Sequence, residues 1–322
     1  MSGKTFTWTY DAASGVYKSH AMSAELLKLS ALKFKIVPFT KKVKSFGRKQ
    51  GDTVTLPYYK AIAEPTSSQL EEETRIPIDQ LQMGTYTITI KEWGRGVEFT
   101  SLAQDLSVLD PKEGAQKALL DQMNLCMDKA AADAFTGTNA KICFIPTSLT
   151  GGTWDTDGTP STTALVNLTK DHMGVVRDYL ANTIHCPFFE SEWYIGLFAT
   201  KALRGLKNDR VLQQFNMYLQ KGDILYRNEV GMIENIRCVE INHESALSDS
   251  VGSGSVLGEG VVFGEDAVGR IEVEFPHLRA DMNYQSDFGR KKAVAWYGTV
   301  AYGVLFQSAT DREARIIKIG SA

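Results

Sequence analysis

The residues best suited to nucleophilic or metal chemistry in this sequence are its five histidines and four cysteines. The histidines stand at 20, 172, 185, 243 and 277 without an HxH or HExxH interval, and the cysteines at 126, 143, 186 and 238 without a CxxC pair. Metal sites are recognised in sequence by such short intervals. We therefore predict no metal site and no cofactor. Each thiol is expected to be a small buried apolar group in a reducing compartment.

Three short features could carry chemistry but lack the rest of a site. His185 precedes Cys186, yet adjacent side chains of an extended segment point apart, which favours one core and one surface residue over a catalytic dyad. The segment Gly3 to Thr5 matches the end of a phosphate-binding loop without its upstream glycine and strand. The segment Asp155 to Gly158 matches part of a calcium loop without its other ligands, which favours a polar turn. No catalytic residue and no enzyme activity are predicted.

The composition is that of a globular protein: 322 residues, of which 43% are hydrophobic and 23% are charged. This length suits two ordinary domains or one large elaborated domain. The formal net charge is −3, so nothing draws the whole chain to nucleic acid, and a dedicated DNA-binding protein is not expected. We recognise no secretory signal and no apolar run of the roughly 20 residues that a membrane helix needs, so a soluble protein without a membrane partner is expected.

A two-stranded projection is predicted between residues 52 and 90. The segment Asp52 to Ala61 has strand-forming residues, and threonine alternates with apolar residues over 85–90, which indicates a strand with unlike faces. The segment from Glu64 to Asp79 would form the tip. A lone two-stranded ribbon is marginal in water, so either the rest of the chain or a second copy must cover it. The sequence leaves both kinds of cover open.

Two segments of opposite charge are candidates for contacts between copies. The segment from Lys33 to Lys49 has seven positive and no negative charges, whereas Glu64 to Asp79 has a net charge of −4. A solvated surface is the common role of such runs, but the two segments could also pair between neighbouring subunits. The candidate interface residues are Lys41, Lys42, Lys44, Arg48, Glu71, Glu72, Glu73 and Arg75.

A long helix is predicted from 111 to 135. Asp110 can cap its first amides, and Pro111 suits the first helical position. At about 1.5 Å per residue this helix would span roughly 37 Å. Three- and four-residue steps predict a buried face of mostly small residues, namely Ala115, Ala118, Leu119, Met123, Cys126, Ala130 and Ala134.

The remaining pattern predicts an α+β fold in which the helices are segregated and the strands are antiparallel. The Gly-, Thr- and Ser-rich segment 145–163 is expected to be a loop. Helices are predicted at 169–181, 200–206 and 209–219. Strands are predicted at 193–198, 233–241, 260–263, 271–275, 293–306 and 314–319.

Several short motifs occur in an order that resembles one family of viral proteins. They are Gly51–Pro57 (GDTVTLP), Leu70–Thr74 (LEEET), the strand 85–90, Gly94–Thr100 (GRGVEFT), Val261–Ala267 (VVFGEDA) and Lys292–Gly303 (KAVAWYGTVAYG). With them, from roughly residue 20 to its end, the chain resembles the major capsid proteins of tailed bacteriophages, specifically the N4-like phage family, which have the Johnson fold shared with herpesvirus shells. None of the motifs is an active-site signature, and their specificity lies in co-occurrence and order.

This resemblance implies a domain layout for the chain. Residues 1–43 would be an N-terminal arm, 44–100 an extended loop, and 101–183 a peripheral domain with the helix 111–135 as its spine. Residues 184–266 would be an axial domain, and 267–322 would return to the peripheral domain.

The resemblance also implies a structural protein that self-assembles into hexamers and pentamers of an icosahedral shell around double-stranded DNA. Its main partner would be itself, with scaffolding, portal and decoration proteins as further candidates and only non-specific contact with the packaged DNA. The expected location is the virion, after assembly in the cytoplasm of a bacterial host. Two alternatives stay open: an encapsulin-like nanocompartment shell of the same fold, and a soluble enzyme with an unrecognised site.

Overall fold

The computed structural model describes residues 35–43, 51–62, 65, 69–70, 72, 75–106, 111–160, 166–190, 192–210, 213, 229–243, 245–248, 258–281, 290–309 and 312–322. Within these ranges the chain has a mixed α+β fold, which confirms the predicted class. Its helices are α1 (Ser101–Leu106), α2 (Pro111–Thr136), α3 (Lys170–Asp178) and α4 (Arg204–Lys207), with a 3₁₀ turn at Val37–Phe39 and a π-helical turn at Tyr179–Thr183. Its strands are β1 (Lys41–Lys42), β2 (Thr53–Tyr59), β3 (Met83–Thr89), β4 (Lys91–Thr100), β5 (Ile142–Pro146), β6 (Gly152–Asp155), β7 (Tyr194–Phe198), β8 (Glu229–Ile233), β9 (Ile236–Glu240), β10 (Gly258–Phe263), β11 (Val268–Asp281), β12 (Lys291–Val304) and β13 (Ile316–Ser321).

The described strands form three sheets. A seven-stranded sheet has the order β6-β5-β13-β10-β7-β9-β8, a four-stranded sheet has the order β1-β11-β12-β4, and β2 pairs only with β3. The prediction of antiparallel strands holds for most neighbours, but β1–β11, β5–β13 and β7–β9 are parallel. Parallel neighbours need long crossovers, and local sequence patterns do not reveal which distant segments such crossovers bring together.

The long helix α2 lies where both large sheets share a core, and its predicted extent is confirmed. Its buried residues pack with Val261 and Phe263 of the seven-stranded sheet and with Val294 and Trp296 of the four-stranded sheet. On the opposite face of the seven-stranded sheet, a second core forms beneath α3. Helix α2 therefore fixes how the two sheets pack against each other.

The predicted buried face of α2 is right at Ala115, Leu119 and Met123 and wrong at the other four positions. Ala118 is exposed, and Cys126, Ala130 and Ala134 are only half-buried. After Met123 the buried stripe could continue through Cys126, Ala130 and Ala134 or through Met127, Ala131 and Phe135. The second row faces the core because its side chains bury more apolar area. The buried residues of α2 are Ala115, Leu119, Met123, Met127, Asp128, Ala131, Ala132 and Phe135.

The first described segment, 35–43, is part of the core although the predicted N-terminal arm extended to residue 43. Ile36, Val37 and Phe39 are buried against α2 and its neighbours. The Asp128 side chain, which is 1% exposed, accepts hydrogen bonds from the backbone N–H groups of residues 35, 36 and 37 at 2.8, 3.1 and 3.1 Å. A buried carboxylate on α2 thus fixes this segment in the core.

The predicted two-stranded projection is confirmed by the antiparallel pairing of β2 with β3, which runs from Thr53 opposite Thr89 to Tyr59 opposite Met83. Its apolar face packs on the rest of the chain: Val54 and Ile88 are buried with Ile271, Ala301 and Leu305. The threonines of the other face are exposed, as the alternation predicts. The base of the hairpin is therefore covered by the rest of the same chain and not by a second copy.

Two segments differ from their predicted form. The predicted loop 145–163 contains β6, which pairs antiparallel with β5 and places Trp154 on Tyr179 with ring centroids 3.9 Å apart. The predicted strand 233–241 is found as β9, but its start forms the turn of a hairpin with the unpredicted β8, because Glu234 and Asn235 adopt φ values of 48° and 63° and reverse the chain. Left-handed residues of this kind form two-residue hairpin turns.

The other predicted elements are found with shifted ends. Strand β11 extends far beyond the predicted 271–275, with register shifts near Glu274 and His277 that accommodate Pro276. The helical prediction 200–206 reduces to turns that lead into α4. Most of the predicted helix 209–219 lies outside the described residues.

Candidate assembly surface

The cysteines are free thiols with little nucleophilic character. Cys143, Cys186 and Cys238 are buried, and Cys126 is half-buried. Burial raises the pKa of Cys143 to about 11 and the pKa values of Cys186 and Cys238 to about 12. A thiol reacts as its thiolate, so these groups fit the predicted role of small apolar core residues.

The other predicted chemical features are local structural contacts. His185 is exposed while Cys186 is buried, as the core-and-surface interpretation predicts. Asp157 accepts hydrogen bonds from the Thr159 N–H at 2.8 Å and from its hydroxyl at 2.9 Å, which makes the predicted polar turn. In the described part of the chain, no group of three or more His, Cys, Asp and Glu side chains could hold a metal ion. None of the helices described is long and apolar enough to cross a membrane.

The most unusual surface lies beyond the docked base of the β2–β3 hairpin. Large apolar side chains with exposed fractions from 48% to 74% cluster in sequence between residues 59 and 83. Contiguous exposed apolar patches mark interaction surfaces in soluble proteins, so this segment is the candidate. We call this set the distal surface: Tyr59, Ile62, Leu70, Ile76, Ile78, Leu81 and Met83.

The predicted acidic residues fall in the same segment of the chain. Glu72 and Arg75 are exposed among the described residues there, together with Asp79. Glu71 and Glu73 lie outside the described residues. The tip segment therefore combines exposed apolar side chains with exposed charges of both signs.

The predicted basic residues Lys41 and Lys42 lie on the body of the protein and already have partners. The ammonium group of Lys41 contacts the Asp266 carboxylate, and Lys42 contacts Glu272 at 2.6 Å. These ion pairs help to hold β1 beside β11. Lys44 and Arg48 lie outside the described residues, and the described residues show no contact between the basic and acidic segments.

A second, smaller apolar group is exposed where β4 leads into α1. Val97, Leu102 and Leu106 have exposed fractions of 42%, 64% and 75%. Strand β4 is also the edge of the four-stranded sheet. Unpaired edge amides and carbonyls beside exposed apolar residues are suited to contact with another chain.

Sequence reasoning located the tip segment by its charge but missed its apolar side chains. The available signal was the spacing of Ile76, Ile78, Leu81 and Met83 among polar residues. Such spacing normally indicates a face buried by the same chain, and only the structure shows that these side chains remain exposed.

The chain is similar over nearly its whole length to solved capsid structures of bacteriophages. It matches a chain of the capsid asymmetric unit of cyanophage Pam1 with a TM-score of 0.70 at 12% identity, over 98% of this chain and 99% of that one. For the head of Helicobacter pylori bacteriophage KHP40 the TM-score is 0.67 at 14% identity, with 99% of both chains covered. For the capsid of Ralstonia phage GP4 it is 0.65 at 15% identity, with 98% of both chains covered.

At this level of identity the similarity establishes the fold. The chain has the Johnson fold of tailed-phage capsid proteins, which confirms the predicted architecture. No protein-family model matches the sequence, and no curated protein matches it significantly. The narrower likeness to the N4-like phages stays a prediction.

Proposed function

We propose that this protein is the major capsid protein of a tailed bacteriophage, which assembles with copies of itself into the hexamers and pentamers of an icosahedral shell around double-stranded DNA. The observation that carries the proposal is that nearly the whole of this chain matches nearly the whole of the chains in phage capsid structures. A structural role also agrees with the buried, weakly nucleophilic thiols.

The distal surface is the proposed contact with a neighbouring subunit. The base of the β2–β3 hairpin packs on the rest of its own subunit through Val54 and Ile88. The exposed apolar residues between Tyr59 and Met83 are therefore available to contact a second copy. A projection on one subunit that contacts a different surface on the next makes a heterologous interface, and repeated heterologous contacts form a ring where the rotation between subunits closes. Rings of five and six subunits are the units of an icosahedral shell.

The charged residues make a smaller, second contribution in this proposal. Since Lys41 and Lys42 have partners on their own chain, Lys44 and Arg48 are the better candidates to pair with Glu71, Glu72 and Glu73 of a neighbour. Exposed ion pairs contribute only about 0–1 kcal/mol each. Reversing the three glutamates should weaken assembly, and reversing the two basic residues as well should partly restore it.

The domain layout, the further partners and the location complete the proposal. The division into arm, extended loop, peripheral and axial domains follows the likeness to the phage family. Scaffolding, portal and decoration proteins and loosely contacted DNA are proposed partners. The proposed location is the virion, after assembly in the host cytoplasm.

The proposal is tested by negative-stain electron microscopy and light scattering of the purified protein and of two surface variants. Ile78→Asp places a charge in the distal surface, whereas Leu149→Asp makes the same change at a similarly exposed site on the body, 69% exposed against 74% for Ile78. We expect shells or rings for the wild type and Leu149→Asp and free subunits for Ile78→Asp.

Two results would contradict this function. The proposal of a capsid protein would be contradicted if the wild type stayed as free subunits even in the presence of the products of its neighbouring genes. Shells that contain a protein cargo and no nuclease-protected DNA would favour the encapsulin-like alternative.

A further inference from the structure

The paired strands of the β2–β3 hairpin leave the body at a sharply defined point. Tyr58 and Gly84, which lie opposite each other on the inner face of the hairpin, are half-buried, while the next residues of that face, Lys60 and Gln82, are exposed. A Cβ atom at position 84 would overlap the Tyr58 ring, so the glycine lets this ring lie across β3. Tyr58 is therefore the last residue of the inner face of β2 that is docked on the body.

Tyr58 contacts a compact cluster supplied by the connection between β12 and β13. Its ring packs edge-on against Phe306, with centroids 5.4 Å apart, and its hydroxyl donates to Glu313 Oε2 at 3.3 Å. The guanidinium of Arg315 lies 4.3 Å from the centroid of the Phe306 ring. Burial and the Glu313 carboxylate raise the pKa of Tyr58, so its hydroxyl remains protonated and keeps its role as donor.

The connection that supplies this cluster is itself tied to the body on both sides. The Leu305 N–H donates to the Ala267 carbonyl at 3.2 Å, and the Arg312 N–H donates to the Ile184 carbonyl at 2.7 Å. Arg315 Nη1 also donates to the Glu265 carbonyl at 2.8 Å. A cluster held at these points can resist rotation of the hairpin that rests on it.

We propose that Tyr58, Phe306, Glu313 and Arg315 form a clamp that sets the direction in which the hairpin leaves the body and presents its distal surface. Val54 and Ile88 attach the hairpin nearer its base, and the clamp adds a second, outer point of attachment. The docked part of the hairpin thereby extends outward to Tyr58, and a longer docked part holds the angle more narrowly than the base alone. The consequence for assembly rests on the proposed function, because a neighbour must meet the distal surface at one angle.

The test measures the direction of the hairpin in unassembled subunits separated from shells by size exclusion. Spin labels are attached at Met83→Cys on the hairpin and Leu149→Cys on the body in a Cys126→Ser background, and pulsed electron paramagnetic resonance gives the distribution of distances between them. The three remaining thiols are buried, so they stay unlabelled in the folded protein.

We expect a narrow distribution for the parent protein and a broader one for Phe306→Ala, which removes the central ring. Tyr58→Phe removes only the hydroxyl bond to Glu313 and should broaden the distribution less. Arg315→Lys keeps the charge without the planar group stacked on Phe306 and should also broaden it, which keeps the test valid if Phe306→Ala does not fold. Thr55→Ala, on the exposed face of β2, is the matched control and should leave the distribution narrow.

The clamp would be overturned if the variants at Phe306, Tyr58 and Arg315 all gave distance distributions as narrow as that of the parent protein. It would also be overturned if Thr55→Ala broadened the distribution as much as they do. The clamp and the proposed function fail separately. The distances are measured in unassembled subunits, so they test the clamp whether or not the protein forms shells. The proposed function is tested by the particles that the wild type forms, which do not depend on the clamp variants.

Discussion

Removing the carboxylate of Asp128 should release the first described segment of the chain from α2. The carboxylate accepts three backbone N–H groups, and those of Ile36 and Val37 are buried, so Asp128→Ala leaves two buried donors without an acceptor. A buried unsatisfied donor costs about 1–3 kcal/mol. The two together should lower the free energy of unfolding by roughly 2–6 kcal/mol, with a value near 4 as the expectation.

A graded variant separates this hydrogen-bonding role from the burial of a charge. Asp128→Asn keeps one oxygen that can accept from residues 36 and 37 but presents an NH₂ group to the Lys35 N–H, which now bonds Oδ2 at 2.8 Å. The expected loss is about 1.5–3 kcal/mol, the value of one hydrogen bond to a charged group. Asp133→Asn is the control, because Asp133 follows Asp128 in α2, is exposed, and pairs only with Lys129 in the described structure. Its effect should stay below about 0.5 kcal/mol.

Hydrogen exchange followed by mass spectrometry, with urea unfolding of unassembled subunits, measures these effects. A loss of ~4 kcal/mol speeds exchange at residues 35–39 by roughly a thousandfold. Faster exchange confined to this segment would show that Asp128 holds it locally. If Asp128→Ala exchanged and unfolded like Asp133→Asn, the reasoning that assigns the carboxylate an anchoring role would be refuted.

Three further predictions concern buried ionisable groups. Arg237 bonds Glu229 at 2.9 Å, and the two side chains are only 10% and 2% exposed. Arg237→Met should therefore lower the free energy of unfolding in urea by about 3–5 kcal/mol, and adding Glu229→Leu should restore most of this loss. A double variant as unstable as the single one would contradict this prediction. Burial raises the pKa of Glu259, so its contribution to stability is complete below pH 4.5 and is lost as pH rises through the raised value. Urea unfolding from pH 4 to pH 8 should show this loss in the wild type but not in Glu259→Gln, and identical pH profiles would exclude it. In the folded protein, iodoacetamide should modify Cys126 first and the three buried thiols only on unfolding, as read by peptide mass spectrometry; early modification of a buried thiol would contradict the raised pKa values.

The elements that could be predicted from sequence are those whose signal is local. The alternation over 85–90 defines a strand with unlike faces, and Pro111 followed by apolar residues at helical steps defines α2. Strand β6 was missed because a polar, glycine-rich segment becomes a strand only through its pairing with β5. The turn at Glu234 and Asn235 was missed because the prediction began at Ile233, and β8, with Glu229 and Gly231, has too weak a strand pattern to show that a hairpin precedes β9.

The candidate surface was predictable only in part for a similar reason. The net charge of the tip segment is a property of the sequence, whereas the exposure of Ile78 and its neighbours depends on where the docked base of the hairpin ends. That end is set by Tyr58 and Phe306, which are separated by more than two hundred residues in sequence. The partners of Lys41 and Lys42 could not be predicted either, because they lie on strand β11 and on the turn before it.

The position of β13 in the seven-stranded sheet bears on the order in which the protein is made. It follows all the other described strands along the chain, yet it lies between β5 and β10, and its Lys318 ammonium donates to the carbonyls of Thr136 and Gly137 at the end of α2 at 3.2 and 3.1 Å. A nascent chain that has not yet released residues 316–321 from the ribosome has two open strand edges in the middle of its sheet. Such a chain cannot finish its core, so we expect a translation product that stops before β13 to be unstable.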